Sequence, residues 1–172
     1  MMEFENDMWE ESNTIPVKVK LLSETAKLPT YGSENAACCD LYADILSLGV
    51  TDKTTDCKTG ETTIKKIDRI YLAPGATFKI PTGLAFEPPK RYCCLIYARS
   101  GIATKKGLRP ANCVGVVDND FTGNIIVAVH NDSNETQVIE HGDRVAQLMF
   151  VPYIQAKFEV ADNLTETDRG EG

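Results

Sequence analysis

Tryptophan occurs once and histidine twice in 172 residues, and the six cysteines include no CxxC pair. With His130 and His141 in separate segments, that scarcity argues against zinc, which takes Cys and His ligands in paired spacing. Long apolar runs are missing too. The longest, VAQLMFVPYI at 145–154, is far short of the ~20 residues that span a bilayer, so no transmembrane helix is expected. There is no cluster of Lys and Arg, and the net charge is −7, which excludes a basic nucleic-acid stripe. Twelve Gly and eight Pro are too few for a collagen-like or low-complexity chain. MMEFENDMWEE at the N-terminus has neither the basic nor the apolar region of a secretory signal.

What is present fits one globular domain, because a chain of this length buries roughly 70% of its unfolded surface. Hydrophobic residues at 42% and charged residues at 25% are enough for a core and a solvated surface. The acidity sits at the ends. Residues 1–12 hold five acids and no base, residues 159–172 hold five acids against Arg169, and residues 13–158 hold 17 bases against 15 acids. The middle therefore has no charge reason to avoid phosphates. Residues 1–14 read as a disordered acidic leader, 15–160 as a β domain with a polar excursion at 49–68, and 161–172 as a flexible C-terminal arm. The adjacent pairs Cys38/Cys39 and Cys93/Cys94 suit packing positions on strands better than bridges. All six thiols read as reduced, in an intracellular compartment such as cytoplasm or nucleus. The sequons at Asn131, Asn134 and Asn163 are then idle.

Strand period runs through the chain. Val17, Val19 and Leu21 alternate with Lys18 and Lys20, and Phe78, Ile80 and Thr82 alternate with Lys79 and Pro81. Further short runs rich in Val, Ile, Tyr and Phe are CDLYA (39–43), RIYLA (69–73), RYCCLIYA (91–98), CVGVV (113–117), NIIVAVHN (124–131), RVAQLMFV (144–151) and QAKFEV (155–160). Turn signals such as APG at 73–75, PTG at 81–83 and EPPK at 87–90 separate them. The pattern predicts an all-β sandwich or barrel of many short strands. One short helix is expected at SGIATKKG (100–107), with Ser100 as cap and Gly107 as stop. The excursion at 49–68 reads as a hairpin around TGE.

Four polar clusters interrupt this pattern. YARSGIA (97–103) runs from a strand through Arg-Ser-Gly into a helix start, where free N–H groups, a hydroxyl and a guanidinium make a phosphate cradle. GVVDNDFTG (115–123) places Asp118 and Asp120 at a turn between apolar strands; such acids shape turns, and one of them can act as general base toward water. GDRVAQLMF (142–150) inserts Arg144 and Gln147 into an apolar strand. DRGEG (168–172) sets an Arg among acids and glycines.

Together and in this order, with AACCDLYA (36–43) ahead of them, these segments resemble the five motifs of the trimeric dUTPase family. The resemblance implies a distorted jelly-roll-like β-barrel, a homotrimer with active sites shared between subunits, and hydrolysis of dUTP to dUMP and pyrophosphate with Mg²⁺. It implies that Asp118 activates the attacking water and that Asp40 holds the metal through water. Phosphate contacts fall to Arg99, Ser100, Gly101, Gln147 and Arg169, with Gly170 beside the last. Asn112 matches the asparagine that helps a hairpin over 109–121 read the uracil edge, with Gly115 and Val117 on the same segment. Phe121 stands where an aromatic, usually Tyr, packs under the deoxyribose and excludes a 2′-hydroxyl.

The chain departs from the family pattern at Cys38-Cys39, where Ala-Gly is usual, at Phe121, and at Gly172, beyond which the family's fifth motif continues. Two alternatives share the resemblance: a dCTP deaminase-like or bifunctional relative, and a non-catalytic trimeric binding module. The first needs a Glu beside the hairpin, and residues 109–123 contain none. The second is disfavoured by the presence of Asp118, Asp40, Ser100 and Arg169.

Overall fold

Apolar side chains that alternate over four to six residues give short strands, and turn residues break them before any becomes long. The computed structural model describes residues 14–167 and 169. In chain order the strands are β1 (Lys18–Leu21), β2 (Thr30–Tyr31), β3 (Cys39–Tyr42), β4 (Thr51–Thr55) and β5 (Thr62–Lys66). Then come β6 (Arg69–Leu72), β7 (Thr77–Pro81), β8 (Leu84–Glu87), β9 (Tyr92–Tyr97) and β10 (Leu108–Pro110). β11 (Val114–Val117), β12 (Ile126–Asn131), β13 (Gln137–Glu140) and β14 (Arg144–Pro152) complete the set. One α-helix, α1 (Ser100–Lys106), follows β9.

The largest sheet has five strands in the order β11-β9-β14-β3-β2, and a second has the order β10-β12-β7. Three antiparallel pairs, β1-β8, β13-β6 and β4-β5, account for the remaining strands. Leu41, Ile80, Leu84 and Leu148 are fully buried between the sheets, joined by Ile45, Leu108, Ile125, Val129 and Ile139. Each such side chain contributes about 1.5–3 kcal/mol relative to exposure. Phe86 and Phe150 close one side of the core edge to face, with ring centroids 5.7 Å apart.

Asp44 is the buried acid of this core. It accepts hydrogen bonds from the Ser23 and Thr25 hydroxyls, which fasten the stretch after β1, and His141 Nδ1 lies 3.7 Å from it. Gly83 is required here: its φ is +68°, and a Cβ would stand 2.4 Å from the Asp44 carboxylate. The sequon at Asn131 is used structurally. Asn131 is fully buried, donates to Leu72 O and Glu135 O, and accepts from the Ser133 N–H and hydroxyl.

Several expectations are corrected. QAKFEV, read as a strand, has no regular structure, and among the described residues no strand pairs with it. Ser100 is the first residue of α1 and not its cap; Arg99 takes the cap position with extended backbone and no side-chain capping bond. Gly107 does end the helix, in the left-handed conformation at φ 64°. Residues 109–121 do not form a two-stranded hairpin. β10 pairs with β12 and β11 pairs with β9, so this stretch crosses from one sheet to the other. At 49–68 the chain makes the β4-β5 hairpin, whose turn is held by Asp56 accepting from the Lys58 and Thr59 N–H groups. Within 1–14 and 161–172, residues 1–13, 168 and 170–172 lie outside the described residues, Gly170 among them.

Candidate active site

Asp40, Gln147, Tyr97 and Val114 stand opposite one another on successive strands β3, β14, β9 and β11. Their row faces away from the core, while the neighbouring row of Cys39, Leu148, Ile96 and Gly115 faces into it. Asp40 is nearly buried and takes both its partners from arginines: Arg99 Nε reaches Oδ1 at 2.5 Å and Arg144 Nη1 reaches Oδ2 at 3.1 Å. Gln147 donates to Ala98 O at 2.8 Å, which fixes its amide against the end of β9.

Arg144 reaches Asp40 because of a bulge. Gln147 is three positions after Arg144, so strict alternation would put them on opposite faces of β14. The register against β3 shifts between Arg144 and Ala146, pairing Arg144 with Tyr42. One extra residue on β14 thus turns Arg144 to the Asp40 side while Val145 and Ala146 both stay buried. Arg99 and Arg144 also border a cleft of about 180 Å³ floored by Ile102, Leu108, Val129 and Ile139. Ser100 and Gly101 open α1 beside Arg99.

A second cleft, of about 290 Å³, lies at the other end of β11 and is lined by Val116, Val117, Asp118, Phe121, Asn124, Ile125 and Ile126. Asp118 is exposed here, its carbonyl accepting from the Phe121 N–H at 3.2 Å. Phe121 folds back over Gly123, where a Cβ would come within 2.8 Å of the ring. Asn124 Oδ1 is buried in this region without a hydrogen-bond partner.

The entry to β11 is a tight turn. Cys113 N donates to Pro110 O at 3.0 Å and Val114 N to Asn112 O at 2.7 Å, which forces Cys113 to φ +62°. A non-glycine residue held there costs on the order of 1–3 kcal/mol and persists only where its surroundings enforce it. Gly115 follows with its Cα against Ile96: an added Cβ would stand 3.2 Å from that side chain, so glycine lets β11 close on β9.

Within one chain the two halves of the site are far apart. Asp118 lies four residues along β11 from the row holding Asp40, and three strand spacings separate the two strands, so the carboxylates are roughly 20 Å apart. The structure brings together Asp40, Arg99 and Gln147 at one end, and Val117, Asp118 and Phe121 at the other. Arg169 is exposed. Arg144 was visible in sequence as a charge in an apolar strand, but the bulge that gives it a partner left no sequence signal. Burial pushes the Cys39 thiol, next to Asp40, from 9.0 up to about 11. Among the described residues, no three His, Cys, Asp or Glu side chains cluster as a metal cage, and no helix is long and apolar enough to cross a membrane.

Fold and site define a jelly-roll-like β protein with an arginine-bordered cleft and a separate aromatic-sided cleft. The dUTPase family model matches residues 63–172. Deoxyuridine 5'-triphosphate nucleotidohydrolase of Desulfitobacterium hafniense (strain DSM 10664 / DCB-2) is 40% identical over 163 residues, covering 93% of this chain and 94% of that one. The enzyme of the same description from Enterobacter sp. (strain 638) is 37% identical over 146 residues, covering 84% and 82%. Among solved structures, the dUTPase of Staphylococcus bacteriophage 80alpha, determined with dUpNHpp, shares the fold at a TM-score of 0.71 and 23% identity, covering 94% of this chain and 96% of that one. The chain belongs to the dUTPase family.

Proposed function

We propose that the protein hydrolyses dUTP to dUMP and pyrophosphate in sites completed between copies of the chain. The observation that carries the reading is the split just described. Anion-holding groups cluster around Asp40, while the acid suited to activate water lies roughly 20 Å away on the same chain, beyond the reach of one substrate. A homotrimer that brings the Asp118 end of one copy to the Asp40 end of another joins them.

In such a site Asp118 takes a proton from the water that attacks the α-phosphorus, and pyrophosphate leaves toward Arg99, the α1 N-terminus at Ser100 and Gly101, Gln147 and Arg169. The turn at Asn112 and Cys113, continued through Gly115 and Val117, offers backbone donors and acceptors to the uracil edge. Phe121 walls the cleft where the sugar lies and leaves no room for a 2′-hydroxyl. Asp40 suits Mg²⁺ held through water: it is an oxygen donor, and each of its oxygens keeps a lone pair beside the one given to an arginine. When bound, the ion supplies positive charge against the triphosphate.

The test is pyrophosphate release from dUTP, UTP, dCTP and dTTP in the presence of Mg²⁺. Strong preference for dUTP is expected, and comparable turnover of dCTP would overturn the uracil reading.

A further inference from the structure

The base-reading turn is held from outside by a side chain that the motifs do not include. Arg109, on β10, sends Nε to Asp132 Oδ2 at 2.6 Å and one terminal nitrogen, Nη2, to Oδ1 at 3.2 Å. Its other terminal nitrogen, Nη1, faces Pro110 O at 3.1 Å, Ala111 O at 3.3 Å and Cys113 Sγ at 3.8 Å. A single guanidinium thus grips three of the four residues of the 110–113 turn while its fork is seated on a carboxylate.

That carboxylate is itself positioned. Asp132 follows β12, and its N–H donates to Gly107 O at 2.8 Å. His130 Nε2 stands 3.3 Å from Asp132 Oδ1, and His130 Nδ1 meets the Thr77 hydroxyl at 2.8 Å. The chain of contacts runs from β7 through β12 to the turn at Asn112.

We propose that Arg109 is a positioning residue for uracil recognition, holding the strained turn around Cys113 in its nucleotide-binding shape through its ion pair with Asp132. The proposal rests on the reading that this turn contacts the base. The physical case is that a residue at φ +62° returns to ordinary backbone unless enforced, and Arg109 Nη1 binds the carbonyls on the near side of that residue. Arg109 and Asp132 are part-exposed, so their pair adds little to global stability and its loss is felt locally. Lysine is no substitute, since a point charge cannot seat on a carboxylate and two carbonyls at once.

The experiment measures kcat and KM for dUTP and dCTP in Arg109→Gln, Arg109→Lys, Asp132→Asn and Asn112→Ala, with thermal melting of each. Contacts to the base are made in ground and transition states alike, so the expected result for Arg109→Gln is KM for dUTP raised ~10-fold, kcat within ~3-fold and melting near that of the parent. Arg109→Lys should not restore KM, and Asp132→Asn should shift it the same way. If Arg109→Gln fails to fold, Asp132→Asn, which keeps the side chain's shape, decides the matter. KM unchanged in folded Arg109 and Asp132 variants, with Asn112→Ala impaired, overturns the role of Arg109 alone. Unchanged KM and dUTP-over-dCTP preference in Asn112→Ala overturns the base-reading turn itself, and the proposal with it. A fall in kcat at constant KM in the Arg109 variants also overturns it.

Discussion

Asp118 and Asp40 are two carboxylates of one chain in opposite surroundings, which suit the separate tasks proposed for them. Asp40 is nearly enclosed and ion-paired to Arg99 and Arg144, so its negative charge is held in place. Asp118 is exposed at a turn beside Phe121, free to meet water in an assembled site. Replacing Asp118 by Asn keeps the shape and removes the base. Asp118→Asn is expected to lower kcat by ~10²-fold or more while the affinity for a non-hydrolysable dUTP analogue, measured by calorimetry, stays within ~3-fold. Normal turnover in that variant would assign the base elsewhere. At this scale the sequence was silent about partners. Arg144 stood out as a charge in an apolar strand and Arg109 did not, and only a bulge and a neighbouring strand give them carboxylates.

At the scale of elements, strand period located β3, β6, β7, β9, β11, β12 and β14 to within a residue or two of their bounds, because each buries one face against the same core. β2, β8, β10 and β13 went unread. β2 and β10, two and three residues long, are too short to display a period, and β8 and β13 do not alternate, β8 burying three residues in succession. The β4-β5 hairpin is exposed throughout, with Thr on both faces, so no apolar alternation marks it. Two paired cysteine motifs also acquire meaning here. Cys39 on β3 and Cys94 on β9 point into the core, and burial pushes the Cys94 thiol to about 12, as it pushes Cys39 to about 11, from an ordinary 9.0. The unfolded chain ionises these thiols near 9.0, whereas the folded chain keeps its protons longer. The folded state therefore binds more protons above that pH, and stability must fall as pH rises from about 9 toward 11. Urea midpoints should hold level below pH 8.5 or so and decline above it. A double variant, Cys39→Ala with Cys94→Ala, should show a shallower alkaline decline, and an unchanged slope would count against the thiols as its source.

As a single copy the molecule leaves large apolar side chains in solvent. Past β14 the side chains of Ile154, Phe158, Val160 and Leu164 stand almost fully in solvent, with Phe158 at 93%. Val116, on the outer face of the five-stranded sheet, is 64% exposed. The proposed contact between copies would cover apolar surface of this kind. Light scattering in solution should return three times the 18.9 kDa chain mass. Ile154→Glu with Phe158→Glu should shift the distribution toward smaller species at micromolar concentration and lower activity in step, whereas a monodisperse active monomer would contradict the shared site. The sequence alone determined the all-β class and the order of the polar motifs, because alternation and residue type are local properties. Tertiary structure decided that 109–121 crosses between sheets, that a bulge turns Arg144 toward Asp40, and that Asp118 and Asp40 of one chain stand apart. Each of these depends on which strand pairs with which and in what register, and strand pairing between residues a hundred positions apart leaves no period in either strand.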